Sequence, residues 1–181
     1  MNQSQIIRQT YDRNGGILKL IPVFVPRQFS SPGHRLRLHP DDYFALGTIR
    51  GGMKERWFSS TIAANNGPLA PADEGMSYVS YGTAPDERFL LKDAVDELRE
   101  VLVGKEMMEK FGGWPMYAKF FDNAVPLFHH LHLTFKDAAK VGRLGKPEAY
   151  YFPPQYNNYE GSLPATYFGF DPDCTKEEVR E

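Results

Sequence analysis

Three of the five histidines in this 181-residue chain fall within Leu127-Phe-His-His-Leu-His-Leu133. On an extended segment alternate side chains share a face, so His130 and His132 point one way while His129, Leu131 and Leu133 point the other. A pair of imidazoles spaced in this way can chelate one metal ion. Sixteen residues beyond His132 comes Glu148, within Lys146-Pro-Glu-Ala-Tyr-Tyr-Phe152. Pro147 suits the start of a strand there, and the aromatic residues suit its continuation. Two imidazoles and one carboxylate match the preferences of Zn²⁺ or Fe²⁺ and leave coordination positions open to water or substrate oxygens, as a catalytic metal requires. A lone histidine is more often a packing residue, but a same-face pair followed by an acidic partner reads as a ligand set. His129, on the opposite face, is expected to pack or to hydrogen-bond behind the ligands. His39, in Leu36-Arg-Leu-His-Pro-Asp-Asp-Tyr43, lacks a paired donor two residues before it and reads as a loop residue.

Short strands are the elements expected to position these groups. The stretches 17–25, 76–81 and 116–121 are rich in β-branched and aromatic residues and are flanked by turn formers. The histidine run and the Glu148 segment are expected to be strands as well. A helix is expected over 91–103, where Leu91, Val95, Leu98 and Leu102 recur at three- and four-residue intervals and Gly104 supplies the stop. A shorter helical segment is expected from Phe135 to Val141, ending at Gly142. Thr175-Lys-Glu-Glu178 has the form of a capping box, which opens a helix that the last three residues cannot complete. The chain is therefore expected to be a fragment or split half. The fold class is mainly β with inserted helices, in a single domain over residues 1–181.

Composition narrows the partners. The net charge is −2, and Lys and Arg are dispersed along the chain, so neither nucleic acid nor an anionic membrane is an expected partner. A small molecule is. Cys174 has no second cysteine to pair with, and no signal peptide or membrane span is legible, so a reducing, cytoplasmic setting is expected.

These residues resemble the type I mannose-6-phosphate isomerases, in which a Lys stands eleven positions before Gln-x-His and is followed by Lys-x-Glu and an aromatic strand. Lys119 stands eleven positions before His130, His132 matches the first histidine ligand, and Lys146-Pro-Glu148 matches Lys-x-Glu. Lys54-Glu-Arg-Trp-Phe-Ser-Ser60 is similar to the family's Glu-x-Trp-x-x-Ser strand, and Tyr167-Phe-Gly-Phe-Asp-Pro-Asp-Cys-Thr-Lys-Glu-Glu178 to its Gly-Phe-x-Pro-x-x-Thr-x-Glu-Glu passage. The resemblance covers roughly residues 50 to 181 in consistent order. It implies a cupin-type double-stranded β-barrel (jelly roll), incomplete here, with residues 91–103 as a helical insertion. It further implies a bound zinc ion and interconversion of mannose 6-phosphate and fructose 6-phosphate. On that reading His130, His132 and Glu148 hold the metal, and Glu55 and Lys119 are the catalytic candidates. Trp57, Lys119 and Lys146 would contact the sugar or sugar phosphate.

Departures from the family pattern bear on activity more than on metal binding. His130 replaces the family's Gln ligand, which opens the site to iron or another transition metal. Phe128 stands where the family carries a phosphate-contacting Ser, so an unphosphorylated sugar becomes a candidate. No histidine follows His132, whereas the family's last histidine ligand and its catalytic Arg lie beyond the Thr-x-Glu-Glu helix. A remaining segment or a second chain is expected to supply them. The leading expectation is a metal-dependent aldose–ketose isomerase lacking its later catalytic segment. The alternative is a non-catalytic, metal-containing sugar-binding or regulatory cupin, and a metal-dependent oxygenase ranks third.

Overall fold

A computed structural model describes residues 1–154 and 169–180; Tyr167 and Phe168 of the carboxy-terminal passage lie outside the described residues, as does Glu181. The chain groups into two compact units, Met1–Val125 and Pro126–Glu181.

The first unit contains two three-stranded antiparallel sheets. In one, β1 (Leu20–Ile21) pairs with β4 (Tyr78–Ser80), and β4 with β5 (Arg88–Leu90). In the other, β3 (Gly52–Phe58) lies between β2 (Val23–Arg27) and β6 (Ala118–Phe121). The apolar run 17–25 thus feeds both sheets, because Pro22 cannot donate to a ladder and the chain changes sheet at that point. Helices α1 (Gln3–Arg13) and α2 (Leu91–Leu98) cover the first sheet, where Ile7, Val79, Phe89, Leu91, Ala94, Val95 and Leu98 form the core. A capping box between Asn2 and Gln5 starts α1.

Antiparallel sheets with helices set between strands match the fold class expected from the sequence, but no sheet closes into a barrel among the described residues. The helix expected over 91–103 is divided. Arg99 takes φ 46°, ψ −119°, ending α2 and leaving α3 (Glu100–Val103) as a separate turn that stops at Gly104 (φ 91°). A further helix, α4 (Lys105–Phe111), follows directly. The periodicity of Leu91, Val95, Leu98 and Leu102 carried no signal of this break, because Arg99 faces away from the apolar stripe. Among the described residues no helix is long and apolar enough to cross a membrane.

In the second unit, neither 127–133 nor 147–152 forms a strand among the described residues. Alternation alone does not make a strand; a ladder partner is needed. Just before the second stretch, Lys146 N–H donates to the Leu133 carbonyl at 3.3 Å. The short helix does form, as α5 (Phe135–Ala139). Thr134 caps it by accepting from Asp137 N–H. Gly142 (φ 67°) ends it in a Schellman arrangement, with Arg143 N–H donating to the Ala138 carbonyl and Gly142 N–H to that of Ala139. The Thr175–Glu178 capping box is also present: Thr175 N–H donates to Glu178 Oε2 at 2.8 Å, and Glu178 N–H to Thr175 Oγ1 at 3.3 Å.

Gly51, at the entry to β3, sets the approach of β2 to β3. Its φ is +79°, and a Cβ there would collide with the Arg27 carbonyl. Gly51→Ala is expected to destabilise the protein by about 2–3 kcal/mol in urea unfolding. Gly47→Ala, at φ +85° but in open space, should lose only about 1 kcal/mol.

Candidate functional site

The sequence-selected residues gather into two clusters, one in each unit.

In the first unit Glu55, Trp57 and Lys119 share one face of the β2–β3–β6 sheet. Glu55 and Trp57 are two residues apart on β3, and Trp57 is register partner to Lys119 on β6. Glu55 is only 1% exposed, and charge in such a position must be matched by donors. Arg27 supplies two, from Nε to Oε1 (3.0 Å) and from Nη2 to Oε2 (3.2 Å). Trp57 Nε1–H donates to Oε2 at 2.6 Å, and Lys119 Nζ to the same oxygen at 3.4 Å. Burial pushes the Glu55 carboxyl up. The Arg27 hydrogen bonds, the Lys119 and Arg27 charges and the Trp57 donor outweigh that, holding it below the ordinary carboxylate value. Glu55 is therefore a carboxylate with its acceptor positions already engaged, which is a poor starting state for abstracting a proton. Trp57 is also in the core at 3% exposure, with Tyr117 stacked on it at 4.6 Å between centroids. A sugar would have to compete with Tyr117 for that ring face.

Sequence reasoning overlooked Arg27. It belongs to a part of the chain without motif resemblance. The available signal was physical: a strand carboxylate flanked by Trp and destined for burial needs a cation on a neighbouring strand. A bulge between Val25 and Pro26 shifts the register just before Arg27.

In the second unit His130, His132 and Glu148 bring one ligand atom each to within 4.8 Å of one another. Their convergence is built locally. Helix α5 and its Gly142 stop reverse the chain after Thr134. Gly145 then lies so close to Thr134 and Phe135 that a Cβ would sit 2.5 Å from Phe135 N. This close pass returns Lys146-Pro-Glu148 beside His132. The His130 and His132 rings lie 5.1 Å apart. His130 Nδ1 is 3.0 Å from the Phe128 carbonyl, which can only accept, so Nδ1 carries the proton and Nε2 keeps its lone pair for a metal.

His132 Nε2 stands 3.0 Å from Glu148 Oε2 and 3.3 Å from Lys146 Nζ, while Lys146 Nζ is 2.9 Å from Glu148 Oε1. One ring nitrogen cannot donate to a carboxylate and accept from an ammonium group at the same time. A divalent cation shared by Nε2 and the carboxylate would resolve that conflict, and the donor set of two imidazoles and one carboxylate fits it. His129 is apart from this group, with its ring edge-on to Phe170 at 5.0 Å. His39 caps a 3-10 turn (Pro40–Phe44) by accepting from Asp41 N–H, and His34 packs on Tyr43 at 4.4 Å.

Neither a protein-family model nor a curated protein matches the sequence. Two solved structures are similar, both mutant forms of phosphomannose isomerase from Salmonella typhimurium. For one, with a histidine-to-glutamine change, the TM-score is 0.43 at 20% identity, covering 67% of this chain and 27% of that chain. For the other, with a glutamate-to-alanine change, it is 0.41 at 15% identity, covering 81% of this chain and 33% of that chain. The chain thus spans a third or less of the length of these solved chains.

Replacing Glu55 by Gln would leave the half-buried Arg27 and Lys119 against a neutral amide, and should cost about 2–3 kcal/mol in urea unfolding at neutral pH. The sign of the pH dependence follows from the lowered folded value. Glu55 contributes fully above its unfolded pKa of 4.5 and loses that contribution as pH falls through the lower folded value. The stability gap between wild type and Glu55→Gln should therefore shrink on acidification below pH 4.5. A gap independent of pH in that range would remove the ionised carboxylate as its cause.

Proposed function

We propose that this chain is part of a metal-dependent sugar isomerase acting on a sugar or sugar phosphate. The observation that carries the reading is the convergence of His130, His132 and Glu148, the same positions singled out by the resemblance to type I mannose-6-phosphate isomerases. Zinc is the metal favoured by that ligand set, with iron the next choice. When bound, the ion would act as a Lewis acid toward the substrate's carbonyl and hydroxyl oxygens.

The protein's own groups then have distinct tasks. His130, its tautomer fixed by the Phe128 carbonyl, offers Nε2 as a ligand. Glu148 supplies negative charge, and Lys146, bonded to its other oxygen, holds the carboxylate in orientation and supplies a cation for an anionic substrate oxygen. Lys119 is the corresponding cation of the first unit. Glu55 serves this reading best by orienting Lys119 and Arg27, since its oxygens are already engaged by donors. Trp57 contributes a wall of that cluster and would meet sugar only at the expense of Tyr117.

The saturation of Glu55 also favours a second reading, a non-catalytic sugar-binding protein in which the metal holds ligand without turnover. Aldose–ketose exchange assayed on this chain and on a longer form distinguishes the two. Sugar binding without exchange in either form would select the second.

The metal itself is tested separately. Metal analysis of the purified chain should give about one ion per chain, and His130→Ala, His132→Ala and Glu148→Ala should each lower affinity at least about tenfold. Unchanged metal content in all three would overturn the site. Gly145→Val, which leaves every ligand in place, should weaken binding in the same direction by forcing the Glu148 segment away from Phe135.

A further inference from the structure

We infer that Lys146 controls metal loading of the second-unit cluster: its ammonium group competes with the metal for His132 and Glu148, and must turn away for the ion to bind. The inference rests on the metal reading of that cluster and adds what regulates it.

The geometry is specific. Lys146 Nζ lies 3.3 Å from His132 Nε2 and 2.9 Å from Glu148 Oε1, so one ammonium group bridges two of the three proposed ligands. An ammonium group carries donors only, and it is satisfied at Nε2 when that nitrogen presents its lone pair. A divalent metal makes the same demand of the same two residues, an unprotonated imidazole nitrogen and an ionised carboxylate. Lys146 therefore favours the ligand state that a metal needs and, while it stays, engages it. Pairing with a carboxylate two positions away accounts for the contact with Glu148. The contact with His132, fourteen positions away in the chain, depends on the close pass at Gly145.

The backbone of Lys146 is anchored, whereas its side chain is not. Lys146 N–H donates to the Leu133 carbonyl, Gly145 lies against Phe135, and Pro147 restricts the following φ, so the backbone cannot withdraw from the ligands. The side chain is 44% exposed and has a flexible stem, so its ammonium group can reach water by a rotamer change alone. Glu148 keeps a second support when that happens, because the Tyr150 hydroxyl donates to Oε2 at 3.4 Å. The exchange is local and leaves α5 and its cap undisturbed.

Charge sets the sign. A dication beside a retained ammonium group is repelled by it, and a displaced ammonium group has surrendered its contacts with His132 and Glu148. Both effects weaken metal binding, so loss of the Lys146 charge strengthens it.

The test is a zinc titration of the full chain, stripped by chelator and then measured in competition with a chromophoric chelator at one fixed pH and ionic strength. Lys146→Met removes the charge and keeps an unbranched side chain. It should bind zinc at least about tenfold more tightly than wild type. Lys140→Met removes the same charge from a lysine bonded to Asp137, and should stay within about twofold of wild type. Lys146→Arg keeps the charge and should not tighten binding; if Lys146→Met fails to fold, Lys146→Gln supplies the uncharged comparison. An equal gain in Lys140→Met would assign the effect to net charge and overturn the inference. Weaker zinc binding by Lys146→Met would also overturn it, leaving Lys146 only the task of orienting Glu148. Equal binding by wild type and Lys146→Met, lost from both on Glu148→Ala, would overturn the inference while the metal site stands. Zinc binding by neither would overturn the metal reading and this inference with it.

Discussion

The first unit depends on one buried carboxylate. Glu55 lies on the central strand β3 and takes donors from β2, from β3 itself and from β6, so a single charge fastens all three strands of the sheet. A buried carboxylate tolerates few alternative arrangements, because each lost donor exposes the desolvation penalty of the ion. Arg27, so anchored, clamps the loop that follows β3 through Asn65 and Asn66. The associated apolar core is small, namely Val25, Trp57 and Ala64 with Tyr117 against them. Polar specificity therefore sets the register of this sheet to an extent that hydrophobic burial sets it in the other, where seven buried residues form a continuous core.

What could be read from the sequence divides along the same physical line. Local signals held: the Thr175 cap, the Gly104 and Gly142 stops, and the strand composition of 76–81 and 116–121. The His130 and His132 rings, two residues apart, lie 5.1 Å from each other, and the His129 ring lies against Phe170. Non-local facts were hidden. Nothing in Arg99's own neighbourhood marks it as the residue that takes a left-handed conformation and divides the helix. Nothing in residues 23–27 marks Arg27 as the partner of a carboxylate 28 positions away. The Glu148 segment illustrates a middle case. Its arrival beside His132 was legible from spacing, but the means was not a strand. A capped helix, a glycine stop and a glycine close pass bring it there instead.

The two clusters differ in the property that separates scaffolding from chemistry, which is access. Glu55 is sealed from solvent and held by residues from three strands, so its carboxylate is closed to a ligand but effective in holding a fold, while Lys119 keeps 23% of its side-chain exposure. The His132 and Glu148 side chains retain 32% and 26% of their exposure, and Lys146 retains 44%. Their interaction in water is worth little to stability as an ion pair. Two glycines and a capped helix, rather than burial, bring these polar side chains together.

The local origin of that second cluster has an energetic consequence. Gathering His130, His132 and Glu148 closes a span of only sixteen positions from His132 to Glu148, and α5 already orders part of it. Loop-closure entropy grows slowly with length, and ordering by the helix lowers it further, so most of the free energy of ligation would remain available to hold the ion. The opposing term is Lys146, whose ammonium group lies within hydrogen-bonding distance of both His132 and Glu148. A divalent cation entering there must overcome repulsion from Lys146, but it also relieves the incompatible demands on His132 Nε2. The balance depends on where Lys146 can turn. An anionic substrate oxygen would give its ammonium group a partner just as the cation takes over the carboxylate, which couples metal and substrate in the favourable direction.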